Sequence, residues 1–248
     1  MSAIRPFWRY YGGKWRAVSQ GRYPEPRHGV IVEPFAGAAG FAMHYPDRDV
    51  VLVERNPKVA AVWRWLIAAT PGDVLALPPV IDRDVHDFGL PDGAMWMLGF
   101  WCNAATASPC RTPSKRFRDG PRAHTGWSPT TRARIAADVD RIKHWTLIEG
   151  DYTEAPDVES SWFIDPPYQG KAGSHYPFGS QRIDYPALGA WCMSRRGQVI
   201  VCEGAGADWM PWTGGFRNKA ASVAGKTHNV EVLWTNGAPA LDLFGGKA

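Results

Sequence analysis

Asp165-Pro166-Pro167-Tyr168 puts a carboxylate, two residues without an N–H and an aromatic ring side by side. Those types suit chemistry on an exocyclic amine such as the 6-amino group of adenine. That amine is a weak nucleophile because its lone pair is delocalised into the ring, and acceptors on both of its N–H bonds would draw the pair back onto nitrogen. An ionised Asp165 is acceptor-only. Proline leaves only its carbonyl, so that of Pro166 is a second acceptor on offer. Tyr168 offers a flat face on which a base flipped out of a duplex could stack. Asp and Pro also favour turns, so the tetrapeptide taken alone is compatible with a plain strand-terminating turn.

The elements around it decide whether such a site is built. Ser161 to Ile164 reads as a short buried strand, which sets Asp165 at a strand's carboxyl end, where open α/β sheets bind ligands. Two earlier runs, Gly29 to Val32 and Val50 to Val53, read as strands, and so does Trp145 to Ile148. The first leads into Glu33-Pro34-Phe35-Ala36-Gly37-Ala38-Ala39-Gly40, a small-residue turn in which Gly37 and Gly40 permit close backbone approach to a ligand. It is not G-x-G-x-x-G, so a dinucleotide is not implied. The second ends at Glu54, 17 residues beyond Gly37, a spacing suited to an acid that accepts from ribose hydroxyls. The third precedes Glu149-Gly150-Asp151-Tyr152. Three acids, Glu54, Asp151 and Asp165, closing parallel strands beside a glycine turn predict one shared pocket.

Asn56-Pro57 reads as a helix start. Val62, Trp63, Leu66 and Ile67 recur at helix spacing, as do Ile135, Val139 and Ile142. The pattern predicts a helical insertion over residues 59–143 between catalytic segments 1–58 and 144–248. Downstream, Tyr185 to Met193 reads as a helix, and Gln198 to Cys202 and Val230 to Trp234 as strands, the last followed by an Asn236-Gly237 turn signal. Trp96, Trp101 and Trp145 lie in apolar surroundings that suit packing.

At 248 residues the chain is long enough for one domain with an insertion. No signal peptide and no membrane-length apolar run is recognisable, so a soluble cytoplasmic protein without a membrane partner is expected. Cys102, Cys110, Cys192 and Cys202 are widely spaced, with no C-x-x-C and no H-E-x-x-H, so we expect reduced thiols and no metal. The net charge is +4. Arg111, Lys115, Arg116, Arg118 and Arg122 stand against Asp119 alone in their stretch, and together they equal that whole excess. Set among Pro, Ser, Thr and Gly, they predict an exposed loop on a phosphate backbone, with a solvated basic surface as the plainer alternative.

Together, Tyr10-Tyr11-Gly12-Gly13-Lys14, Glu33-Pro34-Phe35-Ala36-Gly37, Leu52-Val53-Glu54-Arg55-Asn56, Gly150-Asp151-Tyr152 and Asp165-Pro166-Pro167-Tyr168 occur in an order that resembles the Dam-like DNA adenine N6-methyltransferases of phages and prophages. The resemblance covers residues 7–67 and 145–234. It implies an α/β, Rossmann-like S-adenosylmethionine-dependent sheet with a helical target-recognition insertion, and duplex DNA with a flipped adenine as partner. It implies that Tyr10 and Lys14 contact the methionine end of the cofactor, Glu54 the ribose, and Asp151 with Tyr152 the adenine. Asp165 becomes the catalytic carboxylate, near the cofactor's amino group. The chain departs from the family's pattern in the alanines around Gly37, in Glu54 where Asp is common, and in Tyr176-Pro177-Phe178, where an aromatic pair is expected. Cytosine N4 or an RNA adenine would suit the same constellation, and a noncatalytic DNA-binding module is the alternative of another class.

Overall fold

The computed structural model describes residues 2–104, 106–118, 126–219 and 228–237, without the side chains of residues 116, 218, 219, 228 and 229. Its centre is one seven-stranded sheet of order β3-β2-β1-β4-β5-β7-β6. The strands are β1 (Val30–Glu33), β2 (Asp49–Glu54), β3 (Thr146–Glu149), β4 (Ser160–Ile164), β5 (Gly197–Gly204), β6 (Gly214–Lys219) and β7 (His228–Thr235). The first five are parallel, with Ile31 beside Val50 and Ser161. β7 runs antiparallel to β5, and β6 antiparallel to β7. β1 therefore has β2 on one side and β4 on the other, and the chain's winding reverses there, which opens a crevice beyond the carboxyl ends.

Side chains alternate across the pleat. Ile31, Leu52, Phe163 and Ile200 enter one core, and Val32, Val53, Ile164 and Val201 the other. Both faces are thus dry, as a parallel sheet requires. The first core is covered by α2 (Pro57–Ala68), α4 (Asp92–Trp101) and α6 (Pro129–Asp138), together with the N-terminal segment carrying α1 (Trp15–Ser19). The second is covered by α7 (Tyr185–Met193) and Trp209. Residues 59–143 contain no strand among those described, and α3 (Pro71–Leu75) and α5 (Lys115–Arg118) complete their helices. The expected boundary at 58/59 falls inside α2. That helix begins as anticipated, with Asn56 as cap accepting from Lys58 N–H at 3.1 Å and Pro57 at its first position. Its Trp63 reaches back to donate to the Gly37 carbonyl at 2.7 Å.

Two local readings need correction. β6, which no run predicted, has one buried hydrophobic side chain, Phe216, and relies on Gly215, where a Cβ would lie 2.4 Å from the Glu231 carbonyl. Close backbone approach replaces hydrophobic patterning there. The stretch from Arg111 is not all loop, since Lys115–Arg118 form one helical turn. It is anchored by buried Phe117 under the Arg9 guanidinium, with the Ser114 carbonyl accepting from Phe117 and Arg118. All four cysteines are unpaired, and all but Cys110 are buried. Among the described residues no helix is long and apolar enough to cross a membrane, and no cluster of His, Cys, Asp or Glu is arranged for a metal.

Candidate active site

A cavity of about 260 Å³ lies over the carboxyl ends of β1 to β4, near the lower end of the roughly 300–1,000 Å³ typical of small-molecule sites. Tyr10 to Lys14, Glu33 to Ala38, Glu54 to Asn56, and Asp151 with Tyr152 contribute to its wall, so the separate sequence motifs meet in one place. Asp165 and Pro167 join them, and the segment after β4 closes the remaining side with Tyr176, Pro177, Phe178 and Arg182.

The glycine turn after β1 is shaped by contacts that a side chain would prevent. Gly37 has φ +46°, and a Cβ there would meet the Tyr10 ring at 3.0 Å. At Gly40 a Cβ would stand 2.8 Å from the Trp15 nitrogen. Between them Ala39 adopts φ +49°, a left-handed conformation that costs a residue with a Cβ about 1–2 kcal/mol. Glu54 holds the turn to β2. One carboxylate oxygen accepts from Gly37 N–H at 2.9 Å and the other from Asn56 N–H at 2.8 Å. Burial outweighs these bonds and pushes its carboxyl up to about 7. Glu33 accepts from Ala42 N–H at 2.6 Å, and burial pushes it up to about 8.

On the β3 side, Asp151 caps a short 3-10 turn by accepting from Thr153 N–H at 3.3 Å and is paired with Arg55 at 3.0 Å. The Phe35 and Tyr152 rings stack at 5.4 Å. Arg55 and Arg182 each lie over the Phe178 ring, at 5.4 and 5.3 Å. Tyr176 donates to the Tyr11 carbonyl at 3.0 Å and sits where a Cβ on Gly12, φ +71°, would collide with its hydroxyl at 2.4 Å. Tyr176-Pro177-Phe178 is thus part of the cavity wall. Arg55 and Arg182 were not anticipated. Arg55 had a signal in its place directly after Glu54, whereas Arg182 lies in a segment with no periodicity to place it.

Asp165 follows β4 directly. Lys14 Nζ lies 2.7 Å from each of its carboxylate oxygens and donates to the Gly12 carbonyl at 3.0 Å. Burial pushes the Asp165 carboxyl up to about 6, with Lys14 holding it down. Burial is the largest single influence and would depress the Lys14 ammonium, but Asp165, Glu231, Cys202 and Tyr176 together raise it above the usual lysine range. The ammonium is therefore paired with Asp165 rather than left free to meet a ligand.

The remaining members of the tetrapeptide differ from expectation. A residue before proline is extended, and each proline has a fixed φ, so alternate residues face opposite ways. Asp165 and Pro167 line the cavity, whereas Pro166 and Tyr168 do not. The Tyr168 ring lies 4.8 Å from the Lys14 ammonium and would touch a Cβ on Gly204 at 3.2 Å. Its buried hydroxyl is close enough to act on the Asp165 carboxylate but completes no well-formed hydrogen bond. Tyr168 is therefore not displayed as a stacking face in this cavity. The Pro167 carbonyl accepts from Tyr185 at 2.7 Å.

Of the basic residues, Arg111 is exposed but paired with Asp84 at 2.6 Å, and Lys115 and Arg118 are exposed on α5. The Arg116 side chain and Arg122 lie outside the described residues. The stretch is tied to the cavity wall through Thr106, which bridges to Tyr10 and accepts from Tyr11 N–H at 3.3 Å.

Fold and site together define an α/β protein with a mostly parallel sheet, compatible with a Rossmann-like fold, and a cavity at the point where the winding reverses. Compared with protein-family models the chain matches none, and no curated protein is significantly similar to it.

Proposed function

We propose that the protein transfers a methyl group from S-adenosylmethionine to the 6-amino group of adenine in DNA. The observation that carries the reading is Asp165, a half-buried carboxylate on the wall of a cavity that also contains the glycine turn and Glu54. The residues present suit this cofactor. Stacked Phe35 and Tyr152 offer apolar surface for its base, Glu54 lies on the cavity wall within reach of ribose hydroxyls, and Gly37 and Gly40 let Tyr10 and the Lys14–Trp15 backbone pack closely against the turn that shapes the cavity.

When bound, the cofactor supplies an electrophilic methyl group on a sulfonium. The chain's own part is positioning and electrostatics. Asp165 accepts one N–H of the target amine, which draws the lone pair back to nitrogen, stabilises the positive charge that develops there and gives the proton released by methylation an acceptor. Pro166 does not line the cavity, so its carbonyl is not the second acceptor in this arrangement. The carboxylate needs to form no covalent bond. The closing segment with Tyr176 and Phe178 excludes water from the reacting atoms, and the basic residues from Arg111 to Arg122 hold the phosphate backbone. Because Tyr168 does not line the cavity, the flipped base has its stacking surface among the aromatic side chains of the cavity wall.

The test is methyl incorporation from labelled S-adenosylmethionine into duplex DNA and RNA, followed by nucleoside mass spectrometry. N6-methyl-2′-deoxyadenosine arising in DNA is the expected product. N4-methylcytosine, or label only in RNA, would replace the substrate, and no label with intact cofactor binding would favour the noncatalytic module.

A further inference from the structure

Each of the five parallel strands has an acid within one residue of its carboxyl end, and four of the five acids are held by groups that cannot leave or lie at the rim. Glu33 accepts from Ala42 N–H, Glu54 from Gly37 and Asn56 N–H, and Glu203 at the end of β5 from Gln169 and Gly204 N–H and the Trp209 indole. Glu149, on the exposed rim, is paired with Arg64. Asp165 is the exception. Among the described contacts its carboxylate meets no backbone donor, only the Lys14 ammonium at 2.7 Å and the nearby Tyr168 hydroxyl.

Lys14 is itself pinned. Its ammonium donates to the Gly12 carbonyl at 3.0 Å, and its backbone nitrogen packs so close to Gly40 that a Cβ there would stand 2.9 Å away. It leaves Asp165 part-exposed to the cavity, at 20 % of its side chain, while covering the inner side. A carboxylate has about four lone-pair sites and the ammonium needs at most two. Lys14 bonds Oδ2, and Oδ1, though buried, completes no hydrogen bond, so acceptor capacity remains beyond the lysine.

We propose that Lys14 is a positioning residue: its ammonium, held on the Gly12 carbonyl, fixes Asp165 in the orientation and charge state in which it accepts a hydrogen bond from an amine. The amine belongs to the proposed function and the inference rests on that reading there, but the relation between Lys14 and Asp165 is testable without it.

The other charged groups around Asp165 make the lysine necessary. Glu33 from β1, Glu203 from β5 and Glu231 from β7 all act on Asp165 or are acted on by it. Each would oppose its ionisation when charged. Cys202, Tyr168 and Tyr176 are pushed above their ordinary ranges by burial and stay neutral. Lys14 is the one cation among the groups that act on the Asp165 carboxyl. An opposite charge at such a distance lowers a carboxyl by about 1 to 3 pH units.

The experiment is a pH titration of the Asp165 side-chain carbon by NMR in protein labelled at aspartate, with Asp165→Asn identifying the resonance. Wild type should titrate near about 6. Lys14→Met should raise that midpoint by about 1 to 3 pH units, and Lys14→Arg should leave it close to wild type. If Lys14→Met does not fold, Lys14→Gln, which keeps a donor for the Gly12 carbonyl, makes the same comparison. Where methyl transfer is measured, the acid limb of kcat should move with the midpoint. An unmoved midpoint in the neutral variant overturns the proposal, as does an equal rise in the arginine variant. Absence of methyl transfer in wild type would count against the proposed function alone, because the titration still decides the role of Lys14.

Discussion

Replacing Glu54 with Gln separates its two tasks. Its two oxygens accept from Gly37 and Asn56 N–H at 2.9 and 2.8 Å. A glutamine offers one acceptor and an NH2 group, so one buried N–H would face a donor. An unsatisfied buried donor costs about 1–3 kcal/mol, and Glu54→Gln should lose about that much in urea unfolding at pH 8. A second effect falls on the ligand. Hydrogen bonds to a charged group contribute about 1.5–3 kcal/mol, and about 1.4 kcal/mol is a factor of ten, so S-adenosylhomocysteine should bind about 10- to 100-fold more weakly. Because the carboxyl is pushed up to about 7, wild type is ionised at pH 8 and largely protonated at pH 5.5. The affinity gap, read by calorimetry at both values, should be wide at pH 8 and shrink as pH falls through 7. A gap below twofold at pH 8, or one that ignores pH, would refute a ribose-facing, titrating Glu54.

Further outcomes follow from the same geometry. Asp165→Asn should remove methyl transfer, since an amide presents one acceptor and two donors where the amine needs acceptors; turnover like wild type would contradict the role. Asp165→Ala should in addition leave the Lys14 ammonium buried without its partner, at a cost of about 3–5 kcal/mol readable in a urea melt. Tyr168→Phe removes a buried hydroxyl with no well-formed bond and should keep stability, whereas Tyr168→Ala should cost about 3 kcal/mol by opening a gap beside Gly204; an Ala variant as stable as wild type would contradict the covered position. Glu33, Glu54 and Asp165 all have raised folded pKa values, about 8, 7 and 6, so the stability they confer is complete below the ordinary carboxyl range and lost as pH rises through those values. Thermal unfolding should therefore worsen from pH 5 to 8.5, and Glu33→Gln should flatten the slope. Replacing Lys115 and Arg118 with Ala should reduce the slope of log DNA affinity against log salt by about 0.9 for each phosphate no longer neutralised; an unchanged slope would leave α5 a solvated surface.

The parallel strands were legible because each is a short apolar run ending in an acid, and β1 to β5 lie within a residue or two of where the runs put them. Asn56-Pro57 marked the start of α2 because both residues act locally. What escaped depends on close approach between distant segments. Gly215 makes an edge strand by lying against Glu231, and Phe117 turns a polar stretch into a helical turn by packing under Arg9. The site divides in the same way. Motif residues identified the cavity wall from Tyr10 to Tyr152, but the side to which Tyr168 turns follows from two prolines in series, and the Lys14 to Asp165 pair spans 151 positions.

That pair also explains how five strand-end acids can coexist in so small a space. Parallel strands bring their carboxyl ends together, so acids there repel one another unless each is neutralised locally. Glu33 and Glu54 meet the problem by fixed N–H groups and by carboxyls raised toward or above neutrality, which makes them part-time charges and good structural ties. A group that must accept a hydrogen bond from a ligand cannot be tied so completely. Asp165 has no backbone donor among the described contacts and the lowest carboxyl of the three, because its counter-charge is a side chain. The difference in how neighbouring carboxylates are held, more than their number, singles out Asp165 as the group with acceptor capacity facing the cavity.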